Sequence, residues 1–206
     1  MFSRRHFLVT AAAATAAPAF AATEPTAPVV EDWKAELIAS LPGNTEGRYN
    51  IPEAYWAKLV EVNANLPVGE IHILPQTKHL YFTVAPGYAI RYGCAIGSEG
   101  LAYFGTGIIS RKVEWPSWTP TPDMIEREPE KYEQYAEGMP GGPTNPLGAR
   151  ALYVYENGRD TAIRIHGTTN PRSIGSASSN GCFRMYNSHV IDLYDRVPMG
   201  TKIHAY

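Results

Sequence analysis

The chain has 206 residues, 44% of them hydrophobic and 18% charged, and its 18 Lys and Arg stand against 20 Asp and Glu for a formal net charge of −2. Those figures exclude a disordered chain and a basic nucleic-acid binder, and they bound the fold at one domain with appendages or two small ones. Its 18 glycines and 17 prolines make about 17% of the chain against roughly 12% in average usage, which points to many turns rather than long helices.

Arg4 and Arg5 precede a short apolar run, Phe7 to Ala17, and Ala19-Phe20-Ala21 supplies a small-x-small cleavage site. The stretch Ser3-Arg4-Arg5-His6-Phe7-Leu8 resembles a twin-arginine export signal. Residues 1–21 are therefore read as a removed signal peptide and the mature chain as periplasmic. The apolar run is shorter than the roughly 20 residues that a spanning helix needs, and no membrane span is expected in the mature chain. Loss of Arg4 and Arg5 takes the net charge from −2 to −4.

Residues 22–30 read as a flexible leader. Glu31–Ser40, with Trp33, Leu37 and Ile38, and Pro52–Val62, with Ala54, Ala57 and Leu59, carry apolar residues at helical spacing and are expected as two short helices. From Gly69 the period switches to two. Glu70–Leu74 and His79–Val84 form a hairpin through Pro75 to Lys78, and Tyr88–Ile96, Gly107–Val113, Ala151–Glu156 and Thr161–Ile165 continue as short strands. Asn157-Gly158 is a hairpin turn signal. Asn187 or Ser188 caps a helix over Val190–Val197, stopped by Pro198, and a strand closes the chain over Lys202–Tyr206. Many short strands and one packing helix predict a mainly β (α+β) fold, a β-sandwich or partial barrel.

The segment from Glu114 to Gly148 breaks the pattern. It opens on Trp115-Pro116 and Trp118-Thr119-Pro120, holds six acids against Arg127 and Lys131 over residues 123–137, and closes in a Gly/Pro-rich run. A connection of this length inside a compact domain reads as a lid or a disordered insertion, its charges as a solvated face. The tryptophans can pin the loop to the sheet.

Two cysteines, Cys94 and Cys182, are too few for a disulfide scaffold or a four-cysteine zinc site. They leave a single disulfide, which an oxidising compartment permits, or a reactive thiol, or packing. Cys94 lies in the apolar run Ile90-Arg-Tyr-Gly-Cys-Ala-Ile and reads as a buried small hydrophobe. Cys182 lies in Ser179-Asn180-Gly181-Cys182-Phe183-Arg184-Met185, a polar setting. A free thiol titrates near 8.5, roughly, and needs a base or a cation to become a useful nucleophile. Strand alternation puts Ile163 and Ile165 on one face and Arg164 and His166 on the other. A connection of sixteen positions lets Cys182 return beside His166. Gly181 frees the backbone there, its amides could receive an oxyanion, and Arg184 could stabilise the thiolate or bind a carboxylate. His72, His79, His189 and His204 have no partner spacing and read as structural or exposed. Pairing His166 with His189 or Cys182 lacks the further ligands a metal site needs.

His166-Gly167-Thr168 followed by Ser179-Asn180-Gly181-Cys182-Phe183-Arg184 resembles the L,D-transpeptidase catalytic domain, the YkuD domain. Gly105-Thr106-Gly107, the Trp115 and Trp118 motifs and Thr201-Lys202-Ile203 extend the likeness over residues 67–206, leaving 22–66 as an N-terminal leader with short helices. Asn180 stands where the family often has histidine. The resemblance implies no cofactor and no metal. It implies a cysteine enzyme acting on peptidoglycan stem peptides as donor and acceptor, with an envelope protein or water as alternative acceptors and no nucleic acid. Cys182 would be the nucleophile, His166 the base, the Gly167 carbonyl its orienting partner, and Arg184 a holder of substrate or thiolate. Gly181, Ser179, Arg164, Trp115 and Trp118 are the candidate substrate-binding residues. A Cys94–Cys182 bridge would silence that nucleophile.

Overall fold

The computed structural model describes residues 32–98 and 101–206, and the export signal expected over 1–21 lies outside them. In chain order the elements are α1 (Asp32–Ser40), a hairpin of β1 (Thr45–Glu46) and β2 (Tyr49–Asn50), β3 (Lys58–Glu61), β4 (Ile71–Leu74), β5 (His79–Ala85), β6 (Tyr88–Gly93), β7 (Ile96–Gly97) and β8 (Gly105–Glu114). There follow α2 (Pro122–Arg127), α3 (Pro129–Tyr132), β9 (Arg150–Glu156), β10 (Arg159–His166), β11 (Ala177–Ser179), β12 (Phe183–Arg184), α4 (Asn187–Arg196) and β13 (Lys202–Ala205). The protein is mostly β with few helices, as its composition and patterning predict.

Nine strands form one sheet in the order β12-β10-β9-β8-β13-β4-β5-β6-β3. Alternation sets the faces: Ile71 and Ile73 of β4 and Ile203 of β13 point into the core, fully buried. They join Leu80, Ile90, Ile109, Leu152, Ile165 and Phe183, with Val190 and Leu193 of α4 covering them. Each such side chain contributes about 1.5–3 kcal/mol by leaving water. The β9–β10 turn is Asn157-Gly158 with φ of 49° and 76°, both left-handed as that dipeptide demands.

Two expectations are corrected. Pro52–Val62 is not a helix. A single 3-10 turn over Glu53–Tyr55 gives way to an extended Trp56, whose Nε1 donates to Ile51 O at 2.7 Å. β3 then pairs antiparallel with β6, Leu59 opposite Ile90. The open edge of β6 offers backbone partners along the strand, and this tertiary context overrides the helical spacing. Part of 22–66 thus belongs to the same sheet as the residues after 67. The cap of α4 also differs. Asn187 and Ser188 are its first residues, and Glu46 Oε2 accepts from Ser188 N at 3.0 Å and from its Oγ at 2.8 Å, a carboxylate set at the positive end of the helix.

The segment between β8 and β9 is ordered into short helices. Thr121 Oγ1 accepts from Met124 N at 3.3 Å and Pro122 opens α2, which is how a helix start is built. Trp118 exchanges backbone hydrogen bonds with Met139 at 2.9 and 2.6 Å, closing the base of the lid. No helix among the described residues is long and apolar enough to cross a membrane.

Candidate active site

β12 joins the edge of the sheet parallel to β10, with Ile165 opposite Phe183 and His166 opposite Arg184. This register sets Cys182 level with Arg164, two residues from His166 along the strand. Phe183 is driven into the core, 1% exposed, so Cys182 and Arg184 share the opposite side of the strand. Arg184 is held by two backbone hydrogen bonds with Ala95, at 2.8 and 3.0 Å. Both cysteines are free thiols. Cys94 is fully buried, and burial pushes its thiol up to about 12.

His166 is 4% exposed, so the strand face that alternation gives to Arg164 and His166 is covered at the imidazole. Its Nδ1 lies 2.7 Å from the Gly167 carbonyl. A carbonyl can only accept, so Nδ1 carries the proton and Nε2 the lone pair. Burial drives the imidazole down to about 4, the Arg184 charge adds to this, and the Gly167 and Leu147 carbonyls oppose it. At neutral pH the ring is an uncharged base.

Cys182 is half-buried, its Sγ 3.6 Å from the Ala162 carbonyl. Burial raises its thiol, against the Arg164 N–H and the charges of Arg164 and Arg184, which favour the thiolate. In this geometry the thiol bonds to Ala162 rather than to His166, and the resting pair is thiol with neutral imidazole. Gly181 has φ of +112°, and a Cβ there would meet Leu101 O at 3.1 Å and Ile163 Cδ1 at 3.3 Å. The turn before Cys182 therefore requires glycine.

The remaining candidates have varied positions. Ser179 is 2% exposed; its Oγ donates to the Cys182 carbonyl and accepts from Gly181 N at 3.3 Å. Its hydroxyl braces the Cys182 loop instead of facing a ligand, and the Gly181 N–H is held by the same loop. Arg164 makes a bidentate pair with Asp160, at 2.6 and 2.9 Å, and lies 4.1 Å above the Tyr153 ring, so its guanidinium is neutralised within β10. Burial pushes the Asp160 carboxyl up, but Arg164 and the Ala162 N–H hold it below its ordinary value. Trp118 packs edge-on against Tyr132 and Tyr135 inside the lid. Trp115 is 46% exposed, with its N–H on Ala149 O at 2.8 Å.

The segment between β8 and β9 reaches the Cys182 loop. Arg127 Nη2 donates to Asn180 Oδ1 at 2.6 Å, Asn180 Nδ2 lies 3.5 Å from the Tyr132 hydroxyl, and Tyr132 is near enough to Arg184 to influence its charge.

A family model described as the L,D-transpeptidase catalytic domain, YkuD, matches residues 69–204. The chain belongs to this family. An L,D-transpeptidase-named open-reading-frame product of Fuscovulum blasticum is 40% identical to this L,D-transpeptidase-family chain over 106 residues, 52% of it and 51% of the relative. The chain thus spans about half the length of that curated relative. A Brucella melitensis crystal structure, described as a probable carnitine operon oxidoreductase, is 49% identical with a TM-score of 0.53, covering 73% of this chain and 92% of that one. A cysteine-to-serine mutant of an Enterococcus faecium L,D-transpeptidase shares the fold at 14% identity and a TM-score of 0.51, over 68% of this chain and 50% of that one.

Sequence reasoning missed Asn187. Its Oδ1 accepts from Ala149 N at 2.9 Å and its Nδ2 donates to Thr168 O at 2.8 Å, tying the loop before β9 to the one after His166. A Cβ on Gly148 or Gly167 would lie 2.2 or 2.1 Å from that oxygen, and those glycines were the available signal.

Proposed function

We propose that this L,D-transpeptidase-family protein is exported to the periplasm and cross-links peptidoglycan through Cys182. The observation that supports this best is the β10–β12 register, which sets the thiol, Arg184 and a buried uncharged His166 together at one strand end. His166 Nε2 takes the Cys182 proton as the sulfur attacks the carbonyl between a stem's diamino acid and its terminal D-alanine. The Cys182 amide receives the oxyanion, and Arg184 stabilises the developing negative charge. His166 then protonates the departing D-alanine nitrogen, the C–N bond breaks, and a thioester remains. A side-chain amine of a second stem attacks the thioester, loses its proton to His166, and the thiolate leaves and is reprotonated. The product is a 3→3 cross-link. The Gly167 carbonyl keeps Nδ1 protonated throughout, the part a carboxylate plays in other triads.

Incubation of purified protein with sacculi, followed by muropeptide mass spectrometry, tests the reading. Cross-linked dimers joined through diamino acids are expected. Tripeptides accumulating alone would replace transfer by hydrolysis. An intact sacculus profile would refute both.

A further inference from the structure

Three arginines stand at the Cys182 loop, Arg127 through Asn180, and they are not equivalent. Arg164 is neutralised by its bidentate pair with Asp160. Arg184 is half-buried, and its charge acts on Cys182 and His166. Arg127 is exposed, stands at the end of α2, and holds a neutral amide oxygen, Asn180 Oδ1, at 2.6 Å. The lid is otherwise acidic. Of its two cations, Lys131 is paired with Glu128 at 3.0 Å, while Arg127 has no ion pair with a carboxylate among the described residues.

We propose that Arg127 is a specificity-determining residue that binds a free carboxylate of the donor stem peptide, with Asn180 Oδ1 holding that place while the site is empty. This rests on the transpeptidase reading above. A guanidinium bonded to carboxylate makes a charge-assisted bond roughly twice as strong as one between neutral groups, so an arriving carboxylate displaces the amide. Asn180 lies two residues before Cys182. With at most about 3.6 Å of chain per residue, Asn180 stays close to Cys182, so a carboxylate at Arg127 belongs to a group within a few residues of the carbonyl under attack. In the donor both the terminal D-alanine and the diamino acid carry one there. An acidic lid repels an anionic peptide unless one cation is kept for it, and Arg127 meets that need.

The test measures acylation kinetics with three tetrapeptide donors: unmodified, amidated at the terminal carboxylate, and amidated at the diamino acid carboxylate. The parent protein should disfavour one amide by about tenfold to a hundredfold in KM, with kcat little changed. Which amide suffers identifies the carboxylate. R127Q should raise KM for the unmodified donor by the same factor and abolish the preference. R127K should retain part of it, and N180A, which leaves Arg127 in place, should keep it. Unchanged melting temperatures exclude misfolding. A parent that treats all donors alike, or an R127Q that retains the preference, overturns the proposal. So does a pattern in which R127Q and N180A alter all three donors equally, the mark of a simple lid latch. A parent that acylates with none of the donors overturns the transpeptidase reading, and this inference with it.

Discussion

At the scale of single residues, the account turns on two side chains that are both uncharged at rest. His166, lowered to about 4 from 6.5 by burial, is ready to accept a proton at any pH above its folded value. Cys182, raised by burial, keeps its proton at rest, and in the proposed reaction the base removes it. The coupled pair therefore gives an acylation rate with an acid limb near pH 4 and a plateau through neutrality, measurable as kcat/KM from pH 3.5 to 8. An acid limb at 6 to 7 would mark a solvent-exposed histidine and contradict the burial argument. Replacing His166 by Gln should slow acylation by about 10²–10⁴-fold, read by single-turnover mass spectrometry. The motif named Cys182 and His166, and the β10–β12 register puts their strands side by side. The burial of His166 was not legible, because the Gly167 and Leu147 carbonyls beside its ring belong to the backbone. The Arg164–Asp160 pair was hidden too. In a regular strand residues four apart are more than 10 Å apart, and only the bulge after Asp160, with Ala162 at φ 61°, brings them together.

At the scale of elements, α4 packs the core with one face and fixes the site with its first residue. Asn187→Ala leaves the Ala149 N–H and the Thr168 carbonyl without their partner. Loss of about 1–3 kcal/mol in denaturant unfolding is expected for such buried groups, together with an acylation rate at least several-fold lower. A stability loss with unchanged acylation would show that Asn187 fastens the fold and not the site. The sequence announced β4 and β5 through period-two alternation and the β9–β10 turn through Asn157-Gly158. It did not announce β3. Ala54, Ala57 and Leu59 fit a helical period, and pairing with Tyr88–Arg91 is a long-range event that no local pattern encodes. Asn187 read as a cap for the same reason: its partners lie 38 and 19 positions away.

At the scale of the whole molecule, a second buried histidine makes the fold acid-sensitive. His189 is fully buried between Tyr92 and Tyr186, and among the described residues neither of its ring nitrogens has a hydrogen-bond partner. Burial holds it at about 4, against 6.5 when unfolded. The unfolded chain therefore binds more protons between those values. The stability tied to the neutral ring is complete above 6.5 and is lost as pH falls towards 4. His189→Leu should narrow the fall in melting temperature between pH 7 and pH 5, and an equal fall in both proteins would refute this. The same scale separates the two cysteines. Cys94 is sealed in the core, whereas Cys182 sits at the sheet edge beside a lid that reaches its loop. The most direct measurement is the intact mass of the mature protein after incubation with a tetrapeptide donor. The parent and Cys94→Ala should each gain one tripeptide acyl group and Cys182→Ala none. An adduct that survives Cys182→Ala, or one that disappears with Cys94→Ala in a folded protein, would contradict the account.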